Sequence, residues 1–193
     1  MKFTYSIPTK ILFGPGSFND LATTPLPGKK ALVVITAGKS MRANGYLDRL
    51  IDMLDKQGIW HALFDKILPN PVLRHVHEGA ALAREQGCDF VIGLGGGSSI
   101  DSAKSIAVMA KNPGDYWDYI SGGSGKGQPL VNGALPIVAI ATTAGTGTEA
   151  DPWTVITKED TNEKIGFGCA ETFPVLSVVD PEMMLTIPAH LPA

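Results

Sequence analysis

The sequence is poor in cysteine, in charged residues and in long apolar segments. Its only two cysteines, Cys88 and Cys169, are a weak basis for a disulfide framework. Charged residues make up 18 %, with 16 Lys and Arg against 19 Asp and Glu, so the formal net charge is −3. Nucleic-acid binding usually needs a clustered basic surface, and we therefore expect no nucleic-acid partner.

No apolar run is long enough to cross a bilayer. The longest, such as residues 31–35 and 137–141, fall far short of the roughly 20 residues that a membrane-spanning helix needs. Residues 1–5 lack the apolar core of a signal peptide. The sequence therefore predicts a cytoplasmic protein with no membrane partner. With 193 residues, 44 % of them hydrophobic, the chain can bury a substantial core, and we expect residues 1–193 to form one domain.

Short apolar runs alternate with amphipathic segments along most of the chain. The runs predict strands over residues 29–35, 60–67, 88–94 and 135–141, and the first and last of them are typical of buried strands. The segments between them predict helices over residues 40–57, 72–86 and 98–111, and Gly58 and Gly87 close the first two. This order predicts an α/β, Rossmann-like open parallel sheet with helices on both faces.

Shorter extended pieces surround this pattern. Residues 154–157 and 164–167 flank a polar turn and predict a small accessory β-hairpin, and residues 176–179 predict a further strand. Near the start, weak alternation over residues 3–6 and 10–13 around Pro8 predicts another small hairpin.

The most informative segment is the glycine-rich turn Gly93-Leu-Gly-Gly-Gly-Ser-Ser-Ile-Asp101, which follows a predicted strand and opens a helix. Glycines let a phosphate approach the backbone, and the helix terminus offers free N–H groups and a positive dipole end. Ser98 could cap the helix and donate to a phosphate oxygen, and Asp101 falls in the first turn. The segment is neither a P-loop nor a strict G-x-G-x-x-G, and a plain strand-to-helix turn is the alternative.

A second loop, Thr142-Thr-Ala-Gly-Thr-Gly-Thr-Glu149, also follows a buried strand and carries four hydroxyl groups. Ligands of parallel sheets bind at the carboxyl ends of the strands. Two such loops indicate one ligand that bridges them, such as a dinucleotide. A polar surface loop without a ligand is the alternative.

Several motifs, taken in order, resemble the iron-containing (group III) alcohol dehydrogenases. They are Lys10–Gly16 (KILFGPG), Pro69-Asn70-Pro71, Gly95–Lys104 (GGGSSIDSAK), Thr142–Glu149 (TTAGTGTE) and Asp180-Pro181-Glu182. The resemblance covers essentially the whole chain. It implies the N-terminal cofactor-binding domain of an enzyme about twice this length, and we expect the family's all-helical C-terminal domain to be absent.

The resemblance also implies cofactor-binding residues. Gly96, Gly97 and Ser98 would hold the pyrophosphate, with Asp101 nearby. The remaining assignments are Thr142, Thr143 and Thr146 on the nicotinamide side, Asn70 on the adenosine side, and Lys164 at the cofactor ribose.

The end of the first long strand should distinguish NAD(H) from NADP(H). NAD-preferring members of the family tend to have an Asp there, which accepts from the ribose 2′-hydroxyl and repels a 2′-phosphate. This chain has Ala37-Gly38-Lys39-Ser40, with Arg42 close by. Gly38 and Ser40 are therefore expected at the cofactor, and NADP(H) is favoured over NAD(H).

The family's divalent metal, iron or zinc, is held by one Asp and three His that lie beyond the Asp-Pro-Glu segment. The histidines here are His61, His75, His77 and His190, and none has a credible ligand spacing. We therefore predict no metal site in this chain and assign no catalytic residue.

The resemblance implies an NAD(P)-dependent alcohol dehydrogenase or aldehyde reductase that moves a hydride between the nicotinamide cofactor and a small alcohol or aldehyde. It also implies a homo-oligomer, with a dimer as the expected form. Two alternatives stay open: a non-catalytic NAD(P)-binding module, and a related sugar-phosphate or polyol enzyme, which the TTAGTG match disfavours.

Overall fold

A computed structural model describes residues 2–4 and 6–187, and six parallel strands form its central sheet. In chain order they are β1 (Lys10–Phe13), β2 (Lys30–Thr36), β3 (Trp60–Ile67), β4 (Phe90–Gly95), β5 (Ile137–Ala141) and β8 (Leu176–Val179). Their order across the sheet is β1-β8-β5-β4-β2-β3. The strands β6 (Thr154–Lys158) and β7 (Glu163–Phe167) pair antiparallel as a separate hairpin.

Four α-helices connect the strands: α1 (Ser40–Ala43), α2 (Tyr46–Lys56), α3 (Leu73–Gln86) and α4 (Gly97–Lys111). Short 3-10 helices cover Ser17–Ala22, Tyr116–Asp118, Ala170–Thr172 and Pro181–Met184. None of the helices in the described part of the chain is long and apolar enough to span a membrane.

The alternation of side chains along the central strands produces two cores, one on each face of the sheet. On β2, Val33 packs with the residues of α2, whereas its neighbour Val34 packs with those of α3 and α4. Both residues are fully buried. Strands covered on both faces have continuous apolar sequences, and this is why their sequence signal is strong.

The strand order places a crevice between β2 and β4. The chain runs outward from β2 to β3, then returns to the other side of β2 as β4, so the loops that follow β2 and β4 separate at the carboxyl edge. Helix α2 packs on one face and α4 on the other. Such a switch point is where open α/β sheets bind ligands.

Two local predictions are wrong. Residues 10–13 pair in parallel with β8, and no strand lies among residues 2–4 and 6–9, so the described chain has no N-terminal hairpin. The helix predicted over residues 40–57 is two helices, because Gly45 has φ 69° and N-caps α2 in the left-handed conformation.

Candidate cofactor-binding site

The glycine turn joins β4 to α4 at the crevice. Gly95 has φ 141°, a conformation that favours glycine, and a side chain there would also meet Ser99 Oγ at 2.6 Å. Helix α4 begins at Gly97 with Gly96 as its N-cap. The N–H groups of Gly97 and Ser98 donate to no acceptor within the described residues. The turn therefore presents free amides at the positive end of a 15-residue helix, which suits a phosphate.

The second loop lies directly against this turn. Thr142 N donates to Gly95 O at 3.0 Å. A Cβ added at Gly96 would come within 3.0 Å of Thr143 Oγ1, and one added at Gly97 within 2.9 Å of Thr146 Cγ2. The two loops that were expected to share one ligand are thus in contact with each other. Glycine at both positions allows the two loops to pack this closely.

A cavity of about 260 Å³ opens at one end of this contact. Its apolar lining comes from Met41 and Ile187, and its polar lining from Ser40, Asn44, Thr142, Thr143 and Thr186. Asn44 Nδ2 donates to Thr186 Oγ1 at 3.2 Å, so the segment after β8 closes one wall of the cavity. A mixed lining of this kind fits a flat base with polar edges.

The opposite end of the contact is formed by the loop after β3. Ser98 Oγ donates to Pro69 O at 2.6 Å, and Lys164 Nζ donates to Asn70 Oδ1 at 3.1 Å. Ser98 therefore does not cap α4, contrary to the sequence prediction, because its hydroxyl is directed to the neighbouring loop and Gly96 stands at the cap. Asn70 and Lys164 are both exposed and form one polar pair.

The residues around the glycine turn fall into two groups. Thr142 and Thr143 share a cavity with Ser40, the residue expected at the adenosine ribose. Asn70, expected on the adenosine side, pairs instead with Lys164 on β7. The two groups are defined by which residues lie close together in space, and a linear motif does not contain that information.

Asp101 is occupied by contacts with the far end of the second loop. Its carboxylate accepts from Thr148 Oγ1 at 2.7 Å and from Val155 N at 3.0 Å. Burial raises the pKa of this carboxyl, while the hydrogen bond from Thr148 acts in the opposite direction. Asp101 thus fixes the site's framework, and within the described part of the chain its carboxylate makes no hydrogen bond to Gly95, Gly96 or Gly97.

The carboxyl end of β2 has no carboxylate of its own, as the sequence indicated. Gly38, Lys39 and Ser40 are all exposed there. Arg42, which the sequence placed nearby, pairs with Asp65 on β3 at 2.6 Å. Lys39 makes no ion pair within the described residues, so it is the cation available at this edge of the crevice.

The described residues do not form a metal site. No three His, Cys, Asp or Glu side chains among them come together as ligands. His61 lies near Asp55, His77 pairs with Asp115 at 3.2 Å, and His75 is buried on α3. His190 lies outside the described residues. The donor set therefore does not fit the iron or zinc that the resemblance implies.

Two residues of the site were missed on the sequence. Asn44 lines the cavity because α1 and α2 break beside it, and the Asn-Gly pair at positions 44 and 45 was the available signal. Lys104 is fully buried beneath the second loop, although it belongs to a motif that the resemblance quoted. A lysine in the middle of a helix gives no local sign of burial.

Comparison with known proteins agrees with this geometry. Residues 8–181 match the family model described as "Iron-containing alcohol dehydrogenase". The chain belongs to this family. A probable NADH-dependent butanol dehydrogenase of Bacillus subtilis is 38 % identical over 188 residues, which are 97 % of this chain and 47 % of the relative.

Solved structures of iron-containing alcohol dehydrogenase relatives share the fold. The NADH-dependent butanol dehydrogenase A of Thermotoga maritima has a TM-score of 0.88 at 36 % identity, over 97 % of this chain and 46 % of that one. A sulfoacetaldehyde reductase of Bifidobacterium kashiwanohense, in complex with NAD+, has a TM-score of 0.83 at 30 % identity, over 97 % and 48 %. The chain spans about half the length of the relatives it matches.

Proposed function

We propose that the chain binds NAD(P)(H) across the carboxyl ends of β2, β4 and β5, as the cofactor-binding domain, over residues 1–193, of an alcohol dehydrogenase or aldehyde reductase. The observation that carries the proposal is the glycine turn with its free amides, packed between a cavity at one end and the Asn70–Lys164 pair at the other. An elongated ligand with a central diphosphate suits this arrangement.

The site also suggests an orientation for the cofactor. The base and ribose of the adenosine would occupy the cavity at Ser40, Thr142 and Thr143. The amides of Gly97 and Ser98 would bind the diphosphate. Asn70 and Lys164 would then hydrogen-bond the ribose on the nicotinamide side, and Thr146 would flank the diphosphate at Gly97.

When bound, a nicotinamide cofactor accepts or donates the hydride that interconverts an alcohol and an aldehyde. The residues of this chain would bind and orient the cofactor. We propose small alcohols and aldehydes as substrates because a similar relative is named for butanol. The groups that polarise the substrate oxygen and any metal would come from outside the described residues.

We propose that NADP(H) is preferred over NAD(H), on the basis of Lys39. A 2′-phosphate at the end of β2 would meet this free cation and no carboxylate, whereas Arg42 is already neutralised by Asp65. The similar relatives named NADH-dependent favour NAD(H) as the second candidate. Lys39→Ala should weaken NADPH binding about tenfold and leave NADH binding within about twofold. Equal losses for both cofactors would contradict this role of Lys39.

We further propose a cytoplasmic homo-oligomer, with a dimer as the simplest form. Edge strand β1 carries exposed Ile11 and Phe13, the latter 75 % exposed, on a sheet edge with unpaired backbone groups. Light scattering on the purified chain tests this, and a monomer at all concentrations would refute it.

Binding of the cofactor is the primary test. Calorimetric titration with NADPH and NADH should give saturable binding to the 193-residue chain. Gly97→Ala fills the space between the turn and Thr146, and we expect it to weaken binding about tenfold or more. Gly166→Ala on β7 is the matched control, since a Cβ there meets nothing closer than 3.8 Å. Absence of binding by the unchanged chain would refute the proposal.

Turnover separates an enzyme from the second candidate, a non-catalytic NAD(P)-binding module. NADPH and NADH oxidation would be followed with a panel of short aldehydes, with added Fe²⁺ or Zn²⁺ and separately with a chelator. Metal-dependent turnover would support the enzyme and require ligands that the described residues do not supply. Saturable cofactor binding without turnover would support the binding module.

A further inference from the structure

A fully buried lysine lies beneath the second loop. Lys104, in the third turn of α4, has no exposed surface. Its Nζ donates to Thr148 Oγ1, Asp151 O and Trp153 O, each at 2.8 Å, and lies 3.2 Å from Asp151 Oδ1. All of these acceptors belong to the segment that connects β5 to the hairpin. A buried ammonium group is expensive unless every proton has a partner, and here the acceptors outnumber its three protons.

Asp101 lies on α4 one helical turn before Lys104 and takes part in the same hydrogen-bond network. Its carboxylate accepts from the hydroxyl of Thr148, which in turn accepts from Lys104. Thr148, itself 4 % exposed, is thus bonded to both charged residues of α4. We call Asp101, Lys104, Thr148 and Asp151 the clasp.

The clasp fixes one end of residues 143–147, which form the arc that faces the glycine turn. The other end is fixed where Thr142 N donates to Gly95 O. Between these points, residues 144–147 are exposed, and Gly145 and Gly147 have φ values of 124° and 70°. The arc therefore lacks buried contacts of its own, and the position of Thr146 depends on its two anchored ends.

We infer that Lys104 and Thr148 are positioning residues for the dinucleotide: through the clasp they hold Thr143 and Thr146 against Gly96 and Gly97. This inference rests on the proposed function. Lys104 touches no part of the crevice, because its ammonium is enclosed by the loop, and it acts through Thr148. The cofactor affinity of the chain, and not only its stability, should therefore depend on the clasp.

The energetics favour a role of this kind. Burial lowers the pKa of Lys104, and the charge of Asp151 acts in the opposite direction. An apolar residue could fill the same space without that desolvation penalty. The ammonium group, however, gathers oxygen atoms from three separate residues of the loop at fixed directions, which an apolar side chain cannot do.

The test compares cofactor affinity with stability in matched variants. Lys104→Met keeps the length of the side chain without its charge, and Thr148→Val keeps the shape of threonine without its hydroxyl. Both should weaken NADPH binding about tenfold or more, whereas Thr148→Ser should stay within about twofold of the unchanged chain. The control is Asn112→Leu, which removes a buried polar anchor at the other end of α4.

Asn112 holds residues 131–133 through three hydrogen bonds, remote from the crevice. Asn112→Leu should lower Tm as the clasp variants do, yet bind NADPH within about twofold of the unchanged chain. If Thr148→Val binds as tightly as the unchanged chain, or if Asn112→Leu loses as much affinity as the clasp variants, the inference is overturned. Absence of NADPH and NADH binding by the unchanged chain would instead refute the proposed function.

Discussion

Lys164 Nζ donates a hydrogen bond to Asn70 Oδ1 across 3.1 Å, and this bond joins the accessory hairpin to the loop after β3. Both side chains are exposed at the end of the crevice, so a bound ribose could exchange partners with them. Lys164→Met should therefore weaken NADPH binding, by about five- to thirtyfold for one lost charge-assisted hydrogen bond.

The matched control for that prediction is Lys158→Met on the same hairpin. Lys158 lies near Ser124 and the ring of Trp117, away from the loop after β3. Fluorescence titration with NADPH measures both variants. Equal affinities for the two would mean that Lys164 makes no contact with the cofactor.

Gly93 sets how closely α4 approaches the sheet. A Cβ at this position would come within 2.9 Å of Ile100 Cα and 3.0 Å of Ala103 Cβ. Because backbone atoms cannot yield easily, Gly93→Ala should lower the free energy of unfolding by about 1–3 kcal/mol. Urea denaturation measures this, with Gly166→Ala expected within about 0.5 kcal/mol of the unchanged chain. Similar losses for the two variants would contradict the close packing at Gly93.

Asp180 holds together the segments that follow β1 and β8. Its buried carboxylate accepts from the backbone N–H groups of Gly16, Phe18 and Glu182 at 3.0–3.1 Å. Asp180→Ala leaves these donors without an acceptor and should cost about 2–4 kcal/mol in the free energy of unfolding. Asp160→Ala, which removes an exposed contact to Thr161 N, should cost less than about 0.5 kcal/mol. A loss below 1 kcal/mol for Asp180→Ala would contradict this role.

His75 should make stability fall in mild acid. Burial lowers the pKa of this imidazole, with Arg74 acting in the same direction. Between the lowered pKa and the ordinary value of 6.5, the unfolded chain binds more protons than the folded chain. Stability should therefore decrease as pH falls below 6.5 through that interval.

His75→Leu removes the titrating group and keeps an apolar side chain beside Phe64, whose ring packs edge-on to His75. Thermal melts from pH 7.5 to 5 would give Tm for both proteins. The Tm of the variant should rise relative to the Tm of the unchanged chain as pH falls. A Tm difference that stays constant with pH would contradict the prediction.

The parts of the fold that follow from local chemistry could be predicted from the sequence. β2, β4 and β5 are buried on both faces, so each carries an unbroken apolar run, and Gly87 ends α3 in the left-handed conformation that glycine favours. The glycine turn could also be predicted, because the backbone conformation and close approach that it needs are provided by adjacent glycines in the sequence.

The errors have a common physical origin in contacts between distant parts of the chain. Residues 10–13 could be assigned as a strand, but their partner is β8, and nothing near Pro8 indicates it. Asp101 has the residue type and position of a helix-terminal carboxylate, yet its partners Thr148 and Val155 lie about fifty residues further along. The orientation of a dinucleotide depends on such pairings.

The pairing of β1 with β8 has a consequence for the order of folding. Lys10 is matched with Leu176, so β1 must wait for nearly all of the described chain before it can pair. Until then β5 also lacks the neighbour that separates it from β1. Closing so long a loop is slow, and the exposed edge of β5 is available to other chains in the meantime. The late pairing of β8 therefore makes the edge of β5 a site of aggregation risk until the fold is complete.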